Sequence, residues 1–340
     1  MAERYFELSR ADQNALLLSM VPLTGRTPTI LEKDIWICQV LAILFNLPCH
    51  KPMAFKGGTS LSKVFNATER FSEDIDITID YRSLIDDVPE LSDITSNSQR
   101  AKLSDQLKLS LIRHVQQSLV PALDSALKSA LPDYQLKIEL SDDAEKLRIF
   151  YPGFNDEGNS YLRPNILIEF GGRNSTLPQQ TIAITPDVAE HVSTIVWPTA
   201  QVPVLSPMRT FWEKATLIHV ECHRPQLRLS AERLSRHWYD LCRLADHEIG
   251  QSAINDIKLL KDVLLIKETF YRSGFSNYDR CLTGGLRLIP GAELLDALRL
   301  DYPAMLDAQM FYGDQASFDD IIARLALLEL AINRNVTASI

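Results

Sequence analysis

Hydrophobic positions along the chain change their spacing several times, and each spacing predicts a type of element. Apolar residues three or four positions apart predict helices over 6–20, 30–46 and 97–131, the last broken at Pro121. Strict alternation of isoleucine with polar residues over 74–80 predicts a half-buried strand. Shorter apolar runs predict further strands over 51–55, 135–140, 147–151, 165–170 and 181–185.

The second part of the chain has a helical pattern almost throughout. Ser206-Pro207 predicts a helix start with a capping hydroxyl and a proline in the first turn, and the last helix is expected over 318–335. Glycine pairs such as Gly171-Gly172 are expected in the turns between strands. The sequence therefore predicts an α+β protein, with an α/β domain and N-terminal helices over 1–200 and a helical C-terminal domain over 201–340.

Composition limits the class of protein. The chain has 340 residues, of which 46% are hydrophobic and 23% charged, as in ordinary globular proteins. No apolar run approaches the ~20 residues that span a bilayer, the N-terminus lacks the features of a secretion signal, and the five cysteines are scattered. We therefore expect a cytoplasmic protein without a membrane partner. The net charge of −9 argues against a general nucleic-acid coat.

Two carboxylates in the alternating segment give the sequence a chemical interpretation. Asp74 and Asp76 are about 6.6 Å apart on one face of the predicted strand, a spacing that suits two metal ions about 3.5–4 Å apart in nucleotidyl transfer. Mg²⁺ is the expected ion, since it prefers carboxylate, water and phosphate oxygens. Asp80 lies about 13 Å from Asp76 and is excluded. Glu169, an acid in an apolar strand, is the best candidate for a third ligand.

A glycine pair stands upstream of these carboxylates. Gly57-Gly58 follows a predicted strand and precedes a predicted helix over 59–65, so its backbone N–H groups can approach a triphosphate. Thr59 and Ser60 add hydroxyl donors. Either feature alone is most often an ordinary turn or a solvent-facing strand, but the order of strand, Gly-Gly, helix, Asp-x-Asp strand and later acidic strand favours a nucleotidyltransferase.

The helical part offers further polar candidates, each with a structural alternative. Lys214 is expected either to contact the triphosphate or to form a surface ion pair. Asp240 shares a helix face with Arg236 and Arg243, which favours a local ion pair. His237 is a candidate base, although a partly buried structural histidine is the commoner case.

Several of these motifs together resemble a known family. The stretches FKGGTSLSK at 55–63 and RFSEDID at 70–76 closely resemble the AbiEii/AbiGii family of nucleotidyltransferase toxins, to which the MenT toxins belong. Matching stretches also cover 168–173, 207–214 and 235–241, and flanking elements cover 31–34 and 286–290. The resemblance extends over about residues 30–335.

The resemblance implies a DNA-polymerase-β-like core with a mixed sheet, followed by a mostly helical C-terminal region. It implies a toxin of a toxin–antitoxin or phage-defence system, some members of which add nucleotides to the 3′ acceptor end of tRNA and so block translation. It also implies residue roles: metal ligation by Asp74, Asp76 and Glu169, a nucleotide site lined by Gly57, Gly58 and Ser72, triphosphate contact by Lys214, and completion of the site by Asp240. In some systems the antitoxin phosphorylates the serine that precedes the aspartates, and Ser72 has that place.

Our hypothesis is an Mg²⁺-dependent nucleotidyltransferase toxin that uses an NTP and modifies RNA, tRNA being the favoured acceptor. Its expected partner is a cognate antitoxin, either an AbiEi-like repressor or a kinase-like protein. Two alternatives stay open: transfer to a protein hydroxyl or to a small molecule such as an aminoglycoside, and a nucleotide-binding regulatory protein without transfer activity.

Overall fold

The computed structural model describes residues 3–154, 164–227, 233–307, 311–312 and 315–338. The chain divides into two compact units. The sheet unit comprises Met1–Val64, Glu73–Asp86 and Asp105–Val204, and the helical unit comprises Phe65–Ser72, Asp87–Ser104 and Leu205–Ile340. Two segments before residue 105 group with the helical unit. The units are therefore not continuous stretches of chain, and the predicted domain boundary near residue 200 stays a prediction.

A mixed sheet forms the centre of the sheet unit. Within the described residues it has seven strands in the order β4-β5-β6-β3-β2-β9-β7. Their bounds are β2 Met53–Lys56, β3 Asp74–Asp80, β4 Lys137–Leu140, β5 Lys146–Phe150, β6 Asn165–Asn174, β7 Gln179–Ile184 and β9 Ala200–Leu205. The central strand β3 runs parallel to β6 and antiparallel to β2. A separate parallel pair joins β1, Glu3–Arg4, to β8, Ile195–Val196.

Strand β3 has the bounds that the alternation predicts. Ile75, Ile77 and Ile79 are at most 1% exposed, as expected for the apolar face of a half-buried strand. On the other face only Asp74 and Asp76 are partly exposed, because Thr78 and Asp80 are also buried.

Several helices precede β4 along the chain. Their bounds are α1 Arg10–Thr24, α2 Pro28–Leu44, α3 Gly57–Lys63, α4 Asn97–His114 and α5 Val120–Ala130, and a π-helical turn, Val115–Leu119, joins the last two. The predicted break at Pro121 is therefore wrong. The proline lies in the first turn of α5, and the wider π turn before it relieves the clash that a proline ring makes with an upstream carbonyl.

One other expectation about the sheet is wrong, and one strand was missed. Gly171-Gly172 does not form a turn but continues β6 as far as Asn174. A Cβ on Gly172 would lie 2.5 Å from Leu84 Cδ1 and 3.3 Å from Leu111 Cβ, so the missing side chain lets two leucines pack on the strand. Strand β9 was not predicted, because Pro203 in its middle is typical of non-strand segments.

The helical unit follows the second part of the sequence. Its helices are α6 Pro207–His223, α7 Ser235–Asp246, α8 Glu248–Asn255, α9 Ile257–Phe270, α10 Ala292–Asp307 and α11 Phe318–Ala338. Pro207 opens α6 as predicted, but the Ser206 side chain does not cap it. The α+β class with a mixed sheet and a helical C-terminal region is thus confirmed. No described helix is both long enough and apolar enough to cross a membrane.

Candidate active site

Strand register brings the predicted carboxylates together in the sheet unit. Asp76 of β3 is the direct register partner of Glu169 on the parallel strand β6, and Asp74 is the partner of Leu167. Neighbouring strands lie about 4.8 Å apart and side chains alternate between faces. Asp74, Asp76 and Glu169 therefore share one face of two adjacent strands, and all three are partly exposed.

The glycine turn lies against the same carboxylates. Lys56, the last residue of β2, is the register partner of Asp76, so the chain turns away at Gly57 directly beside that aspartate. Gly57 has a φ of +82°, and a Cβ there would lie 1.9 Å from Asp76 Oδ2. Only glycine accepts both this backbone conformation and this close approach.

The first turn of α3 is tied to β3 by hydroxyl groups. The Thr59 hydroxyl donates to the Asp74 carbonyl oxygen at 2.5 Å, and the Ser60 hydroxyl donates to the Gly57 carbonyl oxygen at 3.0 Å. Both residues are at most 1% exposed, whereas Gly57 and Gly58 are partly exposed. The hydroxyl groups thus fix the glycine turn relative to the carboxylate strand, and the backbone around the glycines is the accessible part.

Lys146, which sequence reasoning missed, stands beside the third carboxylate. It is the register partner of Glu169 on β5, and its Nζ lies 3.1 Å from Glu169 Oε1. The lysine side chain is 49% exposed and that of Glu169 is 35% exposed, and such exposed pairs contribute only about 0–1 kcal/mol. A metal ion at Glu169 therefore competes with only a weak interaction of that carboxylate with Lys146.

The Asp80 carboxylate forms structural hydrogen bonds, in agreement with its exclusion from the predicted metal site. Its carboxylate accepts hydrogen bonds from the Arg82 side chain at 2.6–2.8 Å and from the Thr176 hydroxyl at 2.9 Å. Burial alone would raise the pKa of Asp80, but these hydrogen bonds hold it below its usual value.

The carboxylate face fits a hard divalent cation. Among the described residues no group of three His, Cys, Asp or Glu side chains is already arranged around one metal position. Mg²⁺ does not need such a cage, because it is commonly bound by one or two carboxylates together with water and substrate phosphates. The adjacent Asp76 and Glu169, with Asp74 on the same face and no side chain at Gly57, provide that kind of donor set.

A buried ion network in the helical unit contains Lys214 and Asp240, two further predicted residues. Asp240 accepts hydrogen bonds from Arg70 Nε and Nη2 at 2.7 and 2.8 Å and from Lys214 Nζ at 2.8 Å. The expected local pairing of Asp240 with Arg236 and Arg243 is therefore wrong, since its partners are distant in sequence. Arg70 was missed, although it stands in the quoted 70–76 motif.

Burial determines the protonation of this network. Burial alone would raise the pKa of Asp240, which is 0% exposed, but Arg70 and Lys214 hold it well below its usual value. Burial lowers the pKa of Lys214, and Asp240 opposes that effect. The Lys214 side chain is 10% exposed, so the surface-pair alternative is wrong as well. Burial, with Lys214 and Arg236, also lowers the pKa of His237 well below its usual value, so its ring is neutral near pH 7, and its role as a base or as a structural residue stays a prediction.

The predicted site residues thus fall into two sets. The sheet unit holds Gly57, Gly58, Thr59, Ser60, Asp74, Asp76 and Glu169, and the helical unit holds Ser72, Lys214 and Asp240. Ser72 is partly exposed and lies two residues after Arg70 and two before Asp74 along the chain. The helical unit also has a cavity of about 970 Å³ between the start of α4, α9 and the segment that follows α9. That cavity contains none of the predicted site residues.

A mixed sheet that carries adjacent carboxylates beside a glycine turn is the arrangement of a nucleotidyltransferase. The family model "Nucleotidyl transferase AbiEii toxin, Type IV TA system" matches residues 39–324, and the chain belongs to this family. It is therefore an NTP-dependent nucleotidyltransferase toxin of a type IV toxin–antitoxin system, and the family implies an antitoxin partner.

Comparison with solved structures found a similar toxin. The chain is similar to MenT4, a nucleotidyltransferase toxin of Mycobacterium tuberculosis H37Rv, with 17% sequence identity, a TM-score of 0.40, and coverage of 96% of this chain and 98% of that chain. No curated protein matches the chain in sequence.

Proposed function

We propose that the protein transfers a nucleoside monophosphate from an NTP to RNA in an Mg²⁺-dependent reaction, with the 3′ acceptor end of tRNA as the acceptor. Such a transfer blocks translation, which accounts for toxicity. A tRNA acceptor would be met in the cytoplasm, and an activity of this kind serves phage defence as well as growth control.

The register pairing of Asp76 with Glu169, with Gly57 directly against Asp76, is the observation that carries this proposal. It supports a site in which carboxylates and a nucleotide phosphate chain meet at one position. Asp74, Asp76 and Glu169 would hold the metal ions. When bound, Mg²⁺ would neutralise charge on the phosphates and favour ionisation of the acceptor hydroxyl.

The proposed reaction is an in-line displacement. The acceptor hydroxyl oxygen forms a bond to the α-phosphorus, the bond from that phosphorus to the bridging oxygen breaks, and pyrophosphate leaves. The hydroxyl proton is lost to solvent or to a nearby carboxylate. The backbone around Gly57 and Gly58 would receive the phosphate chain, since neither residue has a side chain that obstructs its N–H group. Thr59 and Ser60 would contribute through their backbone, because their hydroxyl groups already donate to carbonyl oxygens.

Lys214, Asp240 and Ser72 have further roles in this proposal. Lys214 would contact the triphosphate as a point charge, and Asp240 would orient its ammonium group through their 2.8 Å hydrogen bond. Ser72 would line the nucleotide site. Phosphorylation of Ser72 by a kinase-like antitoxin would add about two negative charges just before Asp74 and oppose nucleotide entry. An AbiEi-like antitoxin would act on expression instead.

The test is label transfer. The purified protein is incubated with each labelled NTP, Mg²⁺ and total tRNA, and we expect label in RNA with at least one nucleotide. Label in protein or in an added aminoglycoside would overturn the RNA acceptor, and metal-dependent NTP binding without pyrophosphate release would overturn transfer altogether.

Two variants connect the activity to the site. Asp76→Ala should abolish transfer and toxicity without unfolding the protein, whereas Asp142→Ala removes the same side chain at an exposed position and should change neither. Full toxicity of Asp76→Ala would show that the carboxylate face does not carry the activity.

A further inference from the structure

Helix α2 carries three consecutive charged residues that are all buried. Glu32, Lys33 and Asp34 are 1%, 3% and 4% exposed. Charged side chains are rarely buried to this degree unless they are paired. Each of the three has a different partner, so one helical turn is connected to several separate segments of the sheet unit.

Lys33 is connected to the carboxylate strand. Its Nζ lies 2.5 Å from Glu73 Oε2, and both side chains are at least nine-tenths buried. Glu73 immediately precedes Asp74, the first residue of β3. Because successive side chains in extended chain point to opposite sides, this ion pair holds the entry of β3 from the side opposite to Asp74.

Asp34 is connected to the helix that follows the glycine turn. Its Oδ1 lies 2.6 Å from Nζ of Lys63, the last residue of α3, and both side chains are 5% exposed. Lys63 also pairs with Asp187 at 2.7 Å, and the Asp187 backbone N–H donates to Asp34 Oδ2 at 2.7 Å. One carboxylate of α2 therefore fixes both α3 and a distant loop.

These contacts connect α2, β3 and α3 in a closed series of interactions beside the candidate site. Lys33 holds Glu73, the neighbouring Asp74 carbonyl accepts from Thr59 in α3, and α3 ends at Lys63, which returns to Asp34. We propose that Lys33 and Asp34 are positioning residues for nucleotidyl transfer, which set the carboxylates of β3 relative to the glycine turn. This inference rests on the proposed site, although not on the identity of the acceptor.

Replacement of a whole pair separates positioning from stability. Removal of one partner leaves a buried charge and threatens folding, whereas replacement of both by apolar side chains of similar volume is often neutral or stabilising. The test variant is therefore Lys33→Met together with Glu73→Leu. Because misplacement of reacting groups by about 1 Å can cost about 100-fold in rate, the variant should lose transfer while it keeps its fold.

The expected result has three parts. The melting temperature should stay within about 5 °C of the wild type, the rate at saturating NTP should fall at least about tenfold, and amide hydrogen exchange should become faster over 57–63 and 73–77. The exchanged pair, Lys33→Glu with Glu73→Lys, restores opposite charges and should recover part of the rate. A second test variant, Asp34→Asn with Lys63→Met, should lose transfer in the same way.

The matched control uses the neighbouring residue of the same helix. Glu32 pairs with Arg10 at 3.0 Å and accepts from the Phe154 backbone N–H at 2.6 Å, neither of which adjoins β3 or α3. Glu32→Gln with Arg10→Met also removes a pair with a buried carboxylate from α2, but it should keep the wild-type rate and the exchange pattern over 57–63 and 73–77.

The outcomes distinguish this inference from the proposed function. If Asp76→Ala abolishes transfer while the Lys33/Glu73 double variant keeps the wild-type rate and exchange pattern, the positioning inference is overturned and the site stands. If Asp76→Ala keeps transfer, the site assignment fails instead. If the wild type transfers to no acceptor, metal-dependent NTP binding is the readout, and the double variant should bind at least about tenfold more weakly than the Glu32/Arg10 control.

Discussion

The carboxylate of Asp76 occupies the space that a side chain on Gly57 would need. A Cβ at Gly57 would lie 1.9 Å from Asp76 Oδ2 and 2.7 Å from its Cγ. The Gly57 backbone is left-handed, with a φ of +82°. The left-handed backbone and the close approach of Asp76 thus each favour glycine at this position. The two effects can be tested separately.

Gly57→Ala should abolish nucleotide transfer. The added methyl group must displace the Asp76 carboxylate, and the left-handed conformation adds a strain of about 1–2 kcal/mol for a residue with a Cβ. Gly25→Ala is the control, because Gly25 has a φ of +66° but no atom within 4 Å of its Cβ position. We expect both variants to lose stability in urea titrations but only Gly57→Ala to lose transfer. Equal activity of the two would show that the contact with Asp76 does not matter.

Neutralisation of Asp76 should change how the protein responds to metal. Asp76 and Glu169 are like charges in direct register, and like charges directly opposite each other are destabilising, so a divalent cation bound to both should stabilise the folded protein. Each protein is compared with its own metal-free melting temperature. With Mg²⁺ at ten times its dissociation constant, the wild type should gain about 1.4 kcal/mol and the variant much less.

Asp142→Asn, at an exposed position, controls for the loss of one charge. It should keep the wild-type response to Mg²⁺ in the same thermal scans. The metal assignment would be wrong if Asp76→Asn gained as much from Mg²⁺ as this control.

Local pattern explains what could be predicted in the sheet unit. The bounds of β3 follow from alternation, which depends only on neighbouring residues. The pairing of Asp76 with Glu169 depends on the register of two strands that are far apart in sequence, and no local pattern fixes that register. Glu169 could nevertheless be proposed from the sequence, because an acid in an apolar strand needs a polar partner. The turn predicted at Gly171-Gly172 is wrong because the glycine at 172 is needed for the packing of Leu84 and Leu111, which are far from it in sequence.

In the helical unit, residue spacing predicts the wrong partners for Asp240. The three- and four-residue spacing around Asp240 favours pairing with Arg236 and Arg243, a rule that holds for exposed helix surfaces. Asp240 is instead 0% exposed and is paired with Arg70, 170 residues away in sequence. Burial reverses the prediction, since a desolvated carboxylate needs several well-placed donors, and only the tertiary fold provides them.

Asp240→Asn should destabilise the protein more than Lys214→Met does. The first change removes the carboxylate charge that Arg70 and Lys214 share, and removal of one partner from a buried ion pair costs about 3–5 kcal/mol. The second keeps the two-point pairing of Arg70 with Asp240 and should cost less, while transfer is lost. Urea unfolding at pH 7 measures the difference. Equal losses of stability would contradict a network in which Asp240 is the shared acceptor.

Buried His219 should make the stability of the protein depend on pH. Its Nδ1 accepts from the Arg287 backbone N–H at 2.9 Å and its Nε2 lies 3.1 Å from the Asn277 carbonyl oxygen, so both ring nitrogens are satisfied in the neutral form. Protonation would place a hydrogen on Nδ1, so that two donors, this N–H and the Arg287 backbone N–H, would face each other without an acceptor. Burial lowers the pKa of His219 to about 4, below the value of about 6.5 in an unfolded chain.

The unfolded state therefore binds more protons than the folded state between about pH 4 and 6.5. The contribution of His219 is complete above about pH 6.5 and is lost as the pH falls toward 4, at most about 3 kcal/mol. Urea titrations from pH 7.5 to 4.5 should show a shallower pH dependence for His219→Gln than for the wild type. His50→Gln, at an exposed histidine, should keep the wild-type slope, and an unchanged slope in His219→Gln would show that this histidine is not what couples folding to pH.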